Sequence, residues 1–355
     1  MTDILKWLEE QPLFPKVFWH SPLGTRAALG YRQVFSEIPS NVRVYGGCSY
    51  DLQPHFWEPA IEIQGGQTID SEGNFSPLPP PWWVNLSIKM GHTPSQQEWE
   101  EQVNLAIGAI DAGHVKKVVL ARKTTERPAS LPNPYALLRT QLARNPDTTG
   151  FLFHFAPDLA WIGATPETLY RREGRILTAD ALAGTRRRGA SPEEDLLLET
   201  DLWNSQKDER EFNFVKHFLE TALAPYAETI SFWPQDRIKK LSHVQHRHNV
   251  CTALLKTNVS DQELIKALHP TPALGGSPRQ AAMQFICDHE PFTRGCYGAP
   301  IGYISPECTE LAVGIRSACV RGDTVDLFAG AGIVAGSTPL AEWEELNHKI
   351  KQWAL

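Results

Sequence analysis

Apolar, β-rich runs crowd the C-terminal part of the chain: "PIGYIS", "ELAVGIRSACV" and "TVDLFAGAGIVAG", followed by a final helix pattern, "PLAEWEELNHKIKQW". Upstream, "VKKVVLA" reads as a further strand whose centre, Val118 to Ala121, is apolar enough to be buried. "GFLFHFA" and "AWIGATPETLYRR" read as a hairpin-like pair of strands. Between these runs lies one long helical region, "EEDLLLETDLWNSQKDEREFNFVKHFLETALAPY", with Leu, Phe and Val at three- and four-residue intervals. Ser95 and Glu98 form a capping box before "WEEQVNLAIGAID", and Gly113 is placed to end that helix. Thr338 and Pro339 are an N-cap and first-turn pair for the final helix. The mixture predicts an α+β body of large antiparallel sheets with helices outside them.

A chain of 355 residues can bury a large core, as two domains or as one sheet-based unit. The proline-rich "SPLPPPWW" at 76–83 reads as a stiff spacer within an N-terminal subregion, residues 1–94, of the same fold as a core over 95–355. A formal net charge of -7 provides no global basic field for nucleic acid. The run Arg186-Arg187-Arg188 is followed by Glu193, Glu194 and Asp195, and reads as a charge-balanced surface. The six cysteines contain no C-x-x-C pair, which argues against a zinc knuckle and for free thiols filling the core. The N-terminus lacks a secretory pattern and no run reaches membrane-span length. A cytoplasmic protein, or one of an organelle stroma, is expected.

Several motifs point to chemistry. Lys116 and Lys117 stand at the root of the buried strand and face opposite ways, and the pattern alone does not choose between them. "GAGIVAG" follows a strand, but its spacing and the absence of a following βαβ unit speak against a dinucleotide site; its glycines still allow backbone N–H groups to approach an anion. His243, His246 and His248 in "HVQHRH" fit no zinc spacing and read as surface or capping residues. Glu342 and Glu345 share one face of the final helix, and "KDERE" sits in the middle helical region. Carboxylates from two helices suit Mg²⁺, which keeps waters for a substrate anion. Arg316 interrupts an apolar strand; buried and unpaired it would cost about 3–5 kcal/mol. It therefore belongs either to a structural ion pair or to a fork that grips a ligand carboxylate.

"KVVLAR", "GATPETL", "LAGTRRRG", "SQKDERE", "LHPTPALGGSPR", "RGCYGAPIGY", "VGIRSA" and "FAGAGIVAGSTPLAEWEE" occur in the order seen in chorismate-utilising enzymes. Over Glu98 to Leu355 the chain resembles an isochorismate synthase. The resemblance implies one large chorismate-binding fold like that of anthranilate synthase component I, with a cleft between layered sheets, and it implies Mg²⁺. It chooses Lys117 as the base that activates water and Glu167 as the acid that protonates the departing hydroxyl. Glu211 and Glu345, with Glu342 directly or through water, resemble the metal ligands. Tyr297, Arg316 and Lys349, with backbone at Gly330 and Gly332, resemble the grip on the substrate carboxylates. Gly184 and Thr185 resemble the loop beneath the ring.

Sister enzymes carry a threonine-bearing "GT-x-SG" loop where this chain has "PALGG", with Ala273 and Leu274. That favours isochorismate as the final product over elimination of pyruvate to salicylate. Phe212 stands where the resembling motif has histidine, and Ala299 where glycine is common. "FWHSP" and "ALG" near the N-terminus favour a menaquinone or phylloquinone role over a siderophore role. Chorismate is the expected partner, with no nucleic acid or membrane, and the chain is expected to act as a monomer. A salicylate synthase and a non-catalytic chorismate-binding subunit are the rival readings.

Overall fold

The computed structural model describes residues 2–64, 67–70, 73–75, 77, 88–240 and 244–353. The proline-rich stretch (Pro77 apart) and His243 lie outside the described residues.

The chain opens with α1 (Thr2–Glu10), β1 (Lys16–Ser21), β2 (Gly24–Leu29), β3 (Gln33–Phe35), β4 (Val44–Cys48) and β5 (Pro54–Glu58). Next come β6 (Ile61–Gln64), β7 (Gln67–Asp70), β8 (Gly91–Thr93), α2 (Gln96–Asp111), β9 (Lys117–Glu126), α3 (Pro134–Arg144) and β10 (Thr149–Ala156). The middle of the chain forms β11 (Leu159–Thr165), β12 (Thr168–Glu173), β13 (Ile176–Arg187), α4 (Pro192–Asn204) and α5 (Gln206–Leu223). Then follow β14 (Ala227–Phe232), β15 (Arg237–Lys240), β16 (Val244–Leu255), α6 (Asp261–Leu268), β17 (Gly276–Ser277) and α7 (Arg279–His289). The chain closes with β18 (Pro300–Ile304), β19 (Cys308–Val313), β20 (Ser317–Arg321), β21 (Thr324–Ile333) and α8 (Pro339–Lys351).

The strands form two sheets. The first runs β17-β9-β21-β20-β11-β10-β1-β2-β6-β7, with β8 also on β9; the second runs β14-β16-β13-β12-β19-β18-β4-β5-β3, with β15 also on β16. Strands of the first 94 residues enter both: β1 pairs with β10 and β4 with β18, each antiparallel. The α+β class expected from the sequence is the one observed.

Strand alternation sorts the side chains into layers. Trp19, Phe151, Phe153, Trp161 and Phe328 of the first sheet meet Tyr45, Trp57, Ile301 and Tyr303 of the second in one shared cluster. Their neighbours Phe18, Leu152, Ile162 and Leu327 turn the other way and pack with Trp99 of α2, Leu138 of α3, Ile286 of α7 and Leu346 of α8. On the far side of the second sheet, Leu177, Ala179 and Leu311 meet Phe212 of α5 and Leu264, Ile265 and Leu268 of α6. The order is therefore helices, sheet, sheet, helices.

Two strands of the sequence reading break where the structure matters most. "AWIGATPETLYRR" leaves the first sheet after Thr165 and enters the second at Thr168. "ELAVGIRSACV" runs the opposite way, leaving the second sheet after Val313 and entering the first at Ser317. The two crossings lie side by side, with Gly163 opposite Ser317 in one sheet and Thr168 opposite Ala312 in the other. Buried apolar residues flank both crossings, Ile162 and Leu169 at one and Val313 and Ala318 at the other, so the short links Pro166-Glu167 and Gly314-Ile315-Arg316 do not announce a change of sheet. The long helical region also divides. Ser205 ends α4 and caps α5, its hydroxyl accepting from the Asp208 N–H at 3.3 Å. The capping box at Ser95 and Glu98 is present, and Gly113 follows α2 with φ +74°. Thr338 is the N-cap of α8 with Pro339 in its first turn, but its side chain makes no capping bond.

Candidate active site

Ala121 of β9 belongs to the cluster shared by the sheets, whereas Val118 and Leu120 pack on the helix side. Alternation then directs Lys117 into the gap between the sheets and Lys116 away from it. Phe328 sets the same phase on β21, so Gly330 and Gly332 face the gap too. A Cβ on Gly332 would stand 2.8 Å from Lys117 Cε, and one on Gly330 would stand 2.8 Å from the Tyr297 hydroxyl. These glycines clear space for two side chains, a role that "GAGIVAG" alone does not disclose. All ladders of β21 are antiparallel, which excludes the dinucleotide fold.

The Lys117 amine has no hydrogen-bond or ion-pair partner among the described residues. Burial lowers its pKa and the Lys349 charge adds to that, while Glu211, Glu167 and Glu345 oppose it. Those influences bring together residues of β9, α5, α8 and the β11–β12 crossing. Glu167 lies in that crossing, its backbone carbonyl held by the Val313 N–H at 3.0 Å. Its carboxyl likewise has no partner among the described residues. Burial first, and then the Asp180 charge, push its pKa up to about 7, against Lys117 and Lys239. A base whose cation is disfavoured thus accompanies a carboxyl that holds its proton near neutrality.

Arg316 occupies the neighbouring crossing with φ 50°, a left-handed conformation that costs a non-glycine residue about 1–2 kcal/mol. Its guanidinium donates to the neutral Gln352 side chain at 2.6 Å and forms no ion pair among the described residues. The structural ion pair is therefore not what holds it, and the fork remains free for an anion. β20 stops pairing with β21 at Leu327. The edge of β21 from Phe328 onward is consequently unladdered beside Arg316, and Lys349 reaches it, donating to the Gly330 carbonyl at 2.7 Å. Tyr297 stacks on Phe328, with ring centroids 5.5 Å apart.

Gly184 sits at a bulge of β13 with φ +68°. Thr185 Oγ1 lies 3.0 Å from His246 Nδ1, which is also 3.2 Å from the Gly184 carbonyl. His248 Nε2 lies 2.9 Å from Asp180 Oδ1. The expectation of surface or capping histidines is thus corrected for both described residues: their strand, β16, is interior to the second sheet, and both stand on the face opposite Cys251 and Ala253, which pack on the helices. Asp180 is a residue that the motifs do not single out, since it sits in a strand with no spacing signal of its own. Ala273 lines a small cavity with Glu167 and Asp180. Leu274 instead buries its side chain in the second sheet's core, and its carbonyl accepts from Tyr50 Oη and Arg294 Nη1. Phe212 and Ala299, the two departures, are both fully buried.

Among the described residues no three His, Cys, Asp or Glu side chains converge as a ready metal cage. The donor chemistry nevertheless fits Mg²⁺, which needs only one or two carboxylates beside water and substrate oxygens. Burial and the Glu345 charge raise the Glu342 pKa, a crowding of carboxyls that a cation would relieve. Glu345 also accepts from Lys349 at 2.5 Å.

The family model for chorismate binding enzyme matches residues 69–354. Isochorismate synthase MenF of Haemophilus influenzae is 30% identical over 381 residues, covering 98% of this chain and 87% of the relative. Isochorismate synthase MenF of Escherichia coli is 31% identical over 385 residues, covering 98% and 89%. The solved structure of MenF, the menaquinone-specific isochorismate synthase from Escherichia coli, superimposes with a TM-score of 0.88 at 30% identity, covering 99% of this chain and 91% of that one. The chain belongs to the chorismate-binding enzymes, on the isochorismate synthase branch.

Proposed function

We propose that this chain converts chorismate to isochorismate, reversibly and with Mg²⁺, for menaquinone or phylloquinone synthesis in the cytoplasm or an organelle stroma. The observation that carries the reading is the pair of uncommitted groups, the Lys117 amine and the Glu167 carboxyl, in one gap. Neutral Lys117 takes a proton from water as the oxygen attacks C2 of the ring. The ring double bonds shift, the C4–O bond breaks, and Glu167 supplies the proton with which that hydroxyl leaves as water. Arg316, Tyr297 and Lys349 bind and orient the carboxylates, and Gly184 and Thr185 lie beneath the ring. Glu211, Glu342 and Glu345 would hold Mg²⁺, which supplies charge neutralisation to a substrate carboxylate. Ala273, a small apolar residue beside Glu167, supports stopping at isochorismate.

The test is purified chain with chorismate, with and without Mg²⁺, resolving products by chromatography and assaying pyruvate. Mg²⁺-dependent isochorismate without pyruvate is expected. Salicylate with stoichiometric pyruvate would make the chain a lyase, and bound but unconverted chorismate would make it a binding subunit. Lys117→Met and Glu167→Gln should each lower kcat by about 10²–10⁴-fold.

A further inference from the structure

Glu167 and Asp180 line one small cavity whose other walls include Leu182, Phe218 and Leu268. Two carboxyls in one largely apolar space cannot both ionise cheaply. Their surroundings differ. Asp180 receives His248 Nε2 at 2.9 Å and Lys239 Nζ at 3.5 Å, whereas the Glu167 carboxyl has no such partner among the described residues. An ionised carboxylate only accepts, so His248 donates its Nε2 proton to it. The register makes this arrangement durable: Asp180 is opposite Val250 and Leu182 opposite His248, so Asp180 and His248 are diagonal neighbours on one face.

We propose that Asp180 is a positioning residue for the proton donor: held as the anion by His248 and Lys239, it faces Glu167 across the shared cavity and keeps that carboxyl in its acid form. The charged groups around the pair are Lys117 from β9, Lys239 from β15, His248 from β16 and Arg171 from β12. Asp180 itself has a lowered pKa, burial being outweighed by the His248 bond and by the Lys239, His248 and Arg171 charges. Removing its charge lets Glu167 lose its proton at lower pH. The inference rests on the hydroxyl-transfer reading of the site.

The experiment is the pH profile of kcat/KM for chorismate in wild type, Asp180→Asn, Asp180→Glu and Lys239→Met. For Asp180→Asn, the ratio of variant to wild type should fall about tenfold from the acid to the alkaline side, as a one-unit loss in the acid's pKa requires. Asp180→Glu should restore a flat ratio. Lys239→Met removes a positive charge from the short strand β15 and should make the ratio rise toward alkaline pH. A purely structural role lowers activity equally at every pH, and a flat Asp180→Asn ratio overturns the proposal. If Asp180→Asn does not fold, Asp180→Ser takes its place, and a flat ratio for that variant overturns the proposal. A wild type that forms no isochorismate defeats the function reading, a result distinct from either.

Discussion

A methyl group at Gly332 would stand 2.8 Å from Lys117 Cε and 3.4 Å from Nζ. The Gly332 backbone is not left-handed, so alanine fits the chain but not the lysine. Gly332→Ala should leave the thermal midpoint unchanged and lower kcat by about 10²-fold, the effect of displacing a reacting group by an ångström. Equal loss of midpoint and turnover, or loss of neither, would count against this role. The same scale shows where sequence reading stops. Period two separates Lys116 from Lys117, but the phase that points one of them inward comes from Ala121 and Phe328 meeting the opposite sheet. Arg316 was legible as a misfit in an apolar run, while its left-handed backbone at a crossing was not.

Elements are joined across the sandwich by a buried carboxylate. Glu310 of β19 accepts from Trp19 Nε1 and Ser21 Oγ of β1, each at 2.9 Å, and from Arg171 Nε of β12 at 2.9 Å. Glu310→Ala should destabilise the fold by about 3–5 kcal/mol, because it orphans these donors. Urea unfolding measures this, and a change below about 1 kcal/mol would show that the staple is dispensable. Helix boundaries were legible where caps mark them, as at Ser95. The break at Ser205 was hidden because its flanks keep helical periodicity, and the sheet crossings because both sides are apolar.

At the scale of the molecule, burial makes stability depend on pH. His154 and His269 are buried, and burial lowers their pKa values from 6.5 to about 4 and about 3. The unfolded chain binds a proton at each near pH 6.5, and the folded chain does so only at the lower values. Their contribution is therefore complete above pH 6.5 and is lost as pH falls toward 4, by up to about 1.4 kcal/mol per unit for each histidine. The urea midpoint should be lower at pH 5 than at pH 7.5, and equal midpoints would refute this. The class of the fold, the ends of the capped helices and the motifs that mark the family can all be read from the chain unfolded, since each is written in neighbouring residues. Folding was needed to show which lysine enters the gap, that two strands change sheets at Glu167 and Arg316, and that Asp180, bonded to His248, shares a cavity with Glu167. Those facts depend on antiparallel pairing between distant segments, and burial, not local spacing, fixes its phase.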